Sequence, residues 1–152
     1  MADTFAGTIS AWAAQERDRM EAIFHTSAQA IYAELRTTVN QGGRLPLDTG
    51  NLRRSFMAST APIPSRGDDQ TEFPDYGPES EMVIANAPLG STIHIGSQAS
   101  YAARMNYGFV GTDSLGRVYN QAGFGFLDAA QQRWPQIVKE AEAKVRGRFD
   151  RA

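Results

Sequence analysis

One stripe of apolar residues governs the start of the chain. From about Thr4 to Val39, the residues Phe5, Ile9, Trp12, Met20, Ile23, Phe24, Ala28, Ile31, Leu35 and Val39 recur mostly in steps of three and four, with Glu16 breaking the row. That spacing predicts one amphipathic helix, because a period of 3.6 gathers such positions on one face. Arg17, Asp18, Glu21, Glu34 and Arg36 lie largely off the stripe. Asn40-Gln41-Gly42-Gly43 is expected to stop the helix, its glycines supplying a left-handed cap. Such a helix is about three times the usual length. It either projects beyond its own domain and packs on a neighbour, or bends near Glu16.

A second stripe closes the chain. Leu127, Ala130, Trp134, Ile137, Val138, Ala141, Val145 and Phe149 predict a helix from about Leu127 to Phe149. Pro135 should bend it or mark its true start. Between the two stripes, Asp48 or Thr49 is expected to cap a short helix carrying Leu52 and Phe56, and the chain turns extended around Phe56 to Thr60. Two strands are expected at Glu81–Asn86 and Ser91–Gly96, joined by Pro88-Leu89-Gly90. Ile93 and Ile95 alternate with Thr92 and His94, so His94 faces away from the core. Ala99–Tyr107 reads as a short helix ended by Gly108, and the glycine-rich stretch Phe109–Phe126 suits a hairpin loop. The expected fold is α+β: a small antiparallel β-sheet flanked by a long N-terminal helix and a long C-terminal helix, with extended loops, in one domain over residues 1–152.

Residues 61–80 stand apart. They hold four of the seven prolines and most of an acidic cluster. A long loop or arm between strands is expected there, and loops of that length are usually functional or disordered. Phe73 and Tyr76 are anomalous in a linker, because aromatic rings want a surface to cover. They are expected to anchor the arm on a partner copy.

Composition excludes more than it assigns. Cysteine is absent, which removes disulfides, thiolate metal sites and cysteine nucleophiles. The only histidines, His25 and His94, are far apart in sequence, which disfavours a multi-histidine metal site. No apolar run is long enough to span a membrane, and Met1-Ala2-Asp3-Thr4 lacks a signal-peptide start. A soluble protein made in a reducing cytoplasm is expected. A net charge of −2 lacks the basic excess of a dedicated duplex binder.

Catalytic patterns are equally scarce. There is no phosphate-binding loop, dinucleotide fingerprint, HExxH or GxSxG pattern. Gly123-Phe124-Gly125 is too short to signal a cofactor. Asp68-Asp69 with Asp75 reads better as a solvated acidic loop than as a cation site. Arg53-Arg54 reads better as a surface salt-bridge pair than as a phosphate clamp. No catalytic residue, cofactor or metal is expected.

Three short patterns occur in order: Pro46-Leu47-Asp48-Thr49-Gly50-Asn51-Leu52-Arg53-Arg54-Ser55, then Tyr101-Ala102-Ala103-Arg104-Met105-Asn106-Tyr107-Gly108, then Phe124-Gly125-Phe126-Leu127-Asp128-Ala129-Ala130. Together they resemble the small neck and tail-completion proteins of long-tailed bacteriophages. Asp48, Thr49, Gly50, Leu52, Ser55, Tyr101, Ala102, Gly108, Phe126 and Leu127 carry the resemblance. Asn106 stands where that family often has an acid, and glycine replaces a usual proline before Phe126. The resemblance implies a non-enzymatic virion protein of the head–tail junction, assembling with itself as a six-fold ring. Its implied partners are head-completion or connector proteins and tail terminator or tail tube proteins, with DNA passing through the lumen and no membrane. The alternatives are a minor capsid or decoration protein, or a small soluble factor or enzyme encoded by the phage.

A ring needs two different surfaces that fit each other. Residues 59–82 hold six acids and one base, while residues 83–152 carry a net +3. The acidic arm (Asp68, Asp69, Glu72, Phe73, Asp75 and Tyr76) against the basic end (Lys144, Arg146, Arg148 and Arg151) is the expected inter-subunit pair.

Overall fold

The computed structural model describes residues 4–67 and 69–151. The order of elements is α1 (Phe5–Leu35), a short 3-10 turn (Val39–Gln41), α2 (Asn51–Ser55), β1 (Phe56–Ser59), α3 (Gly77–Asn86), β2 (His94–Ser97), α4 (Ala102–Tyr107), β3 (Gly108–Thr112), β4 (Val118–Ala122) and α5 (Phe126–Phe149). The class is α+β, with long helices at both ends. The expected single sheet is instead two separate two-stranded antiparallel sheets, β1 with β2 and β3 with β4.

Helix α1 runs unbroken through Glu16, which pairs with Arg19 at 3.3 Å. Thr4 caps it by accepting the Gly7 N–H at 3.0 Å. It ends at Leu35, some residues before the expected glycine stop. Three β-branched residues follow, Thr37-Thr38-Val39, and their backbone pairs with Leu45 instead: the Val39 N–H donates to the Leu45 carbonyl at 2.9 Å. Gly42, at φ +87°, then closes the 3-10 turn rather than α1.

The second correction concerns Glu81–Asn86, which is helical and belongs to α3. Pro78 sits in the first turn and Glu79 favours the positive end of the helix dipole. Gly77, Ser80 and Ile84 are its buried positions, a helical rather than an alternating spacing. The arm therefore ends at Tyr76 and leads from a strand into a helix. Ser80 Oγ accepts the Ala58 N–H at 3.0 Å, satisfying a buried donor of β1.

The core gathers Tyr32 and Leu35 of α1, Leu45, Leu52, Phe56, Phe73, Ile84, Phe126 and Ala130. Burying each large apolar side chain stabilises the fold by about 1.5–3 kcal/mol. Phe56 and Phe126 meet edge to face at 5.9 Å. Tyr32 donates its hydroxyl to the Phe56 carbonyl at 3.0 Å, and burial pushes its phenol pKa up. His25 bonds the Ala87 carbonyl through Nε2 at 2.7 Å, tying α1 to the end of α3.

Helix α5 packs antiparallel on the C-terminal half of α1. Arg133 pairs with Glu34 at 2.7 Å near one end, and the Arg19 guanidinium lies 5.5 Å over the Phe149 ring near the other. Ile137, Ala141 and Val145 are buried, as the stripe requires. Pro135 is interior to α5 and does not mark its start.

Candidate assembly surfaces

The first two of the three ordered sequence patterns meet at one cleft. Pro46 to Leu52 on one side, with Tyr101 and Met105 on the other, line a cleft of about 220 Å³. Burial pushes the Tyr101 phenol pKa up. The second pattern then holds the third. Phe124 and Gly125 donate their N–H groups to the carbonyls of Met105 and Asn106, at 2.9 and 3.0 Å. Asn106 Oδ1 accepts the Leu127 N–H at 2.8 Å, capping the first turn of α5 from outside the helix. Position 106 thus supplies a side-chain acceptor to a helix-start N–H that has no partner within α5. The Asn106 amide nitrogen is buried without a partner.

Close backbone approach fixes this junction. Gly108, at φ +86°, turns the chain from α4 straight into β3. A Cβ there would come within 2.5 Å of the Gln121 carbonyl oxygen. Ser55 is fully buried, donating to the Leu52 carbonyl at 2.6 Å and lying 2.6 Å from Ser97 Oγ. Ala102 is half-buried at the start of α4.

The cap of α2 differs from expectation. Gly50, at φ +82°, occupies the N-cap position, and Asp48 is exposed. Thr49 Oγ1 reaches only the Asn51 N–H, at 3.4 Å. Arg54 organises the turn in their place. It donates to the Thr49 carbonyl at 3.3 Å, to Asn51 Oδ1, and to the Phe73 carbonyl at 3.1 Å. Arg53 donates to the Arg36 carbonyl at 3.1 Å. The two arginines are thus internal ties rather than surface ion-pair donors.

The arm contradicts its expected role. Phe73 is only 4% exposed and belongs to the core of its own chain. Tyr76 packs half-buried against the same core. Asp75 accepts from Arg36 at 2.7 Å and from the Gly77 N–H at 2.9 Å. The Gly77 hydrogen bond, helped by Arg36 and Arg53 against partial burial, holds its carboxyl below the usual range. Three residues expected at a subunit boundary therefore fasten the arm internally. Asp69 and Glu72 remain exposed, as do Lys144, Arg146, Arg148 and Arg151; Asp68 lies outside the described residues. Arg146 pairs with Glu142 at 2.9 Å. Among the described residues, no ion pair joins the arm to the basic end.

Apolar side chains stand bare on the β3–β4 hairpin and on the start of α1. The β3–β4 hairpin exposes Val110, Leu115 and Val118. Its turn is held by Asp113, which accepts the N–H groups of Leu115 and Arg117, both at 2.9 Å, and pairs with the Arg117 guanidinium at 2.6 Å. Although desolvation opposes it, these bonds and one from Tyr119 hold the Asp113 carboxyl below its usual range. The other bare surface is the N-terminal half of α1. Phe5 is 82%, Ile9 47% and Trp12 60% exposed. The apolar spacing of Phe5, Ile9 and Trp12 marks this overhang, and the glycine-rich composition of 109–126 marks the hairpin.

No protein-family model, no curated protein and no solved structure matches the chain.

Proposed function

We propose that the chain is a structural protein of the bacteriophage head–tail junction, assembling with itself as a ring between head connector and tail tube. The observation that carries this reading is that the three ordered patterns contact one another in turn, the first with the second and the second with the third. The first pattern shares a cleft with the second, and Met105 and Asn106 of the second hydrogen-bond Phe124, Gly125 and Leu127 of the third. The bare overhang of α1 and the bare hairpin add support, since exposed apolar patches usually mark association sites. A ring of this kind works by contact rather than by reaction, so its partners are its own copies, the connector side and the tail side. DNA would pass without sequence-specific grip.

Electron microscopy tests the reading directly. The purified chain should form closed rings with a central hole, and antibody against it should label the neck of phage particles. Monomers only, with no label at the neck, would overturn it. Within the ring, the exposed Asp69 and Glu72 remain candidates to face the basic end of α5. Reversing Arg146, Arg148 and Arg151 to Glu should weaken assembly more at low salt than at high salt, because exposed charge pairs are screened. Equal assembly at all salt concentrations would remove this pairing and leave the ring.

A further inference from the structure

Thr4–Gln15 is twelve residues without one ionisable side chain, in a chain that is 21% charged. All twelve are exposed, and Phe5, Ile9 and Trp12 share one face, at spacings of four and three. Helix α5 ends at Phe149, opposite Arg19, so among the described residues no helix lies beside this part of α1. An apolar helical face of this kind lacks a reason to exist in an isolated subunit.

The same chain carries an apolar groove. It lies between α1, β2 and the start of α5 and has a volume of about 500 Å³. Phe24, Ile31, Ile93, Ile95, Leu127 and Trp134 supply its walls. None of its lining residues is ionisable. Stripe and groove are both free of charge, so neither would strand an unpaired charge on burial.

The chain cannot satisfy itself. Trp12 and Phe24 sit on one continuous helix, about 18 Å apart along its axis at 1.5 Å per residue. Folding the stripe back into its own groove would require breaking α1. We propose that the Phe5–Ile9–Trp12 face of one copy seats in the Phe24–Ile93–Trp134 groove of the next. The contact joins two different surfaces, so repetition closes a ring or extends a filament. This deepens the assembly reading above and rests on it, since it names the surface through which copies meet.

The absence of native cysteine makes the test clean. Ala13→Cys flanks the stripe and Thr92→Cys sits on the groove rim, both at exposed positions. A full-length chain carrying both, treated with a flexible bis-maleimide, should give a ladder of covalent dimers, trimers and higher species. Each single-cysteine chain should give little linkage. In parallel, Ile9→Glu with Trp12→Glu should raise the concentration needed for half-assembly at least tenfold, with unchanged circular dichroism. Strong dimers from Ala13→Cys alone would mean that stripe meets stripe, and would overturn the proposal. Rings that persist in the double glutamate variant, with no ladder, would overturn it while leaving the ring itself standing and assigning the stripe to a different protein. A wild-type chain monomeric at every concentration would overturn both.

Discussion

The two halves of α1 follow the same apolar spacing and meet opposite fates. Residues of the C-terminal half, Ala28, Tyr32 and Leu35, are buried against the core and α5. Residues of the N-terminal half, Phe5, Ile9 and Trp12, stand in solvent. Side-chain chemistry does not separate them; the presence or absence of a neighbouring element does. The buried half serves the stability of one chain, and the bare half is free to serve contact between chains. The proposed division of labour is that folding and assembly draw on successive stretches of a single helix.

Substitution should separate the halves sharply. Leu35→Ala, at a side chain only 3% exposed, should cost about 2–5 kcal/mol in urea unfolding. Ile9→Ala in the bare half should change the stability of the monomer by under about 0.5 kcal/mol. Equal costs at both positions would mean that the overhang is packed within its own chain. A smaller but diagnostic effect is expected at the junction of the three patterns. Gly108→Ala should cost about 1–3 kcal/mol, because the left-handed backbone and the Gln121 carbonyl leave no room for a methyl group.

The cap on α5 offers a gentler probe. Asn106→Ala should cost about 1 kcal/mol of thermal stability. Asn106→Asp keeps the bond to the Leu127 N–H and removes the unpartnered amide donor, so it should cost less than the alanine variant at neutral pH. An aspartate variant worse than alanine would show that the site tolerates no charge.

The smallest effect belongs to Asp75. Its carboxyl pKa is lower in the folded chain than in the unfolded one, so the ionised form is the stabilising one. That contribution is complete above the unfolded value of 3.8 and is lost as pH falls through the lower folded value. The side chain is half exposed, and solvent screening should keep the effect under about 1 kcal/mol. Asp75→Asn should flatten the stability profile below about pH 4; an unchanged acid limb would place the sensitivity elsewhere.

Legibility in the sequence followed length. Both long helices were readable because many turns of apolar spacing reinforce one another. Glu81–Asn86 reads as a strand in sequence because six residues are too few to separate the two periods. The decisive signals, Pro78 and Glu79 at a helix start, lay just upstream. Phe73 does need a surface to cover, as its aromatic ring suggests, but that surface is its own core. The internal role of Arg54 has no signal in sequence, because its acceptors are two backbone carbonyls and an amide oxygen brought together only by folding. The meeting of the three patterns was also invisible in one dimension, since their contacts run between residues distant in sequence.

The most direct test of the division between the two halves of α1 is native mass spectrometry of the wild-type chain beside Ile9→Glu/Trp12→Glu. The wild type should appear as one closed multiple of the 16.6 kDa subunit, and the variant as monomer with the same melting temperature. A wild type that stays monomeric at every concentration, or a variant that assembles equally well, would contradict it.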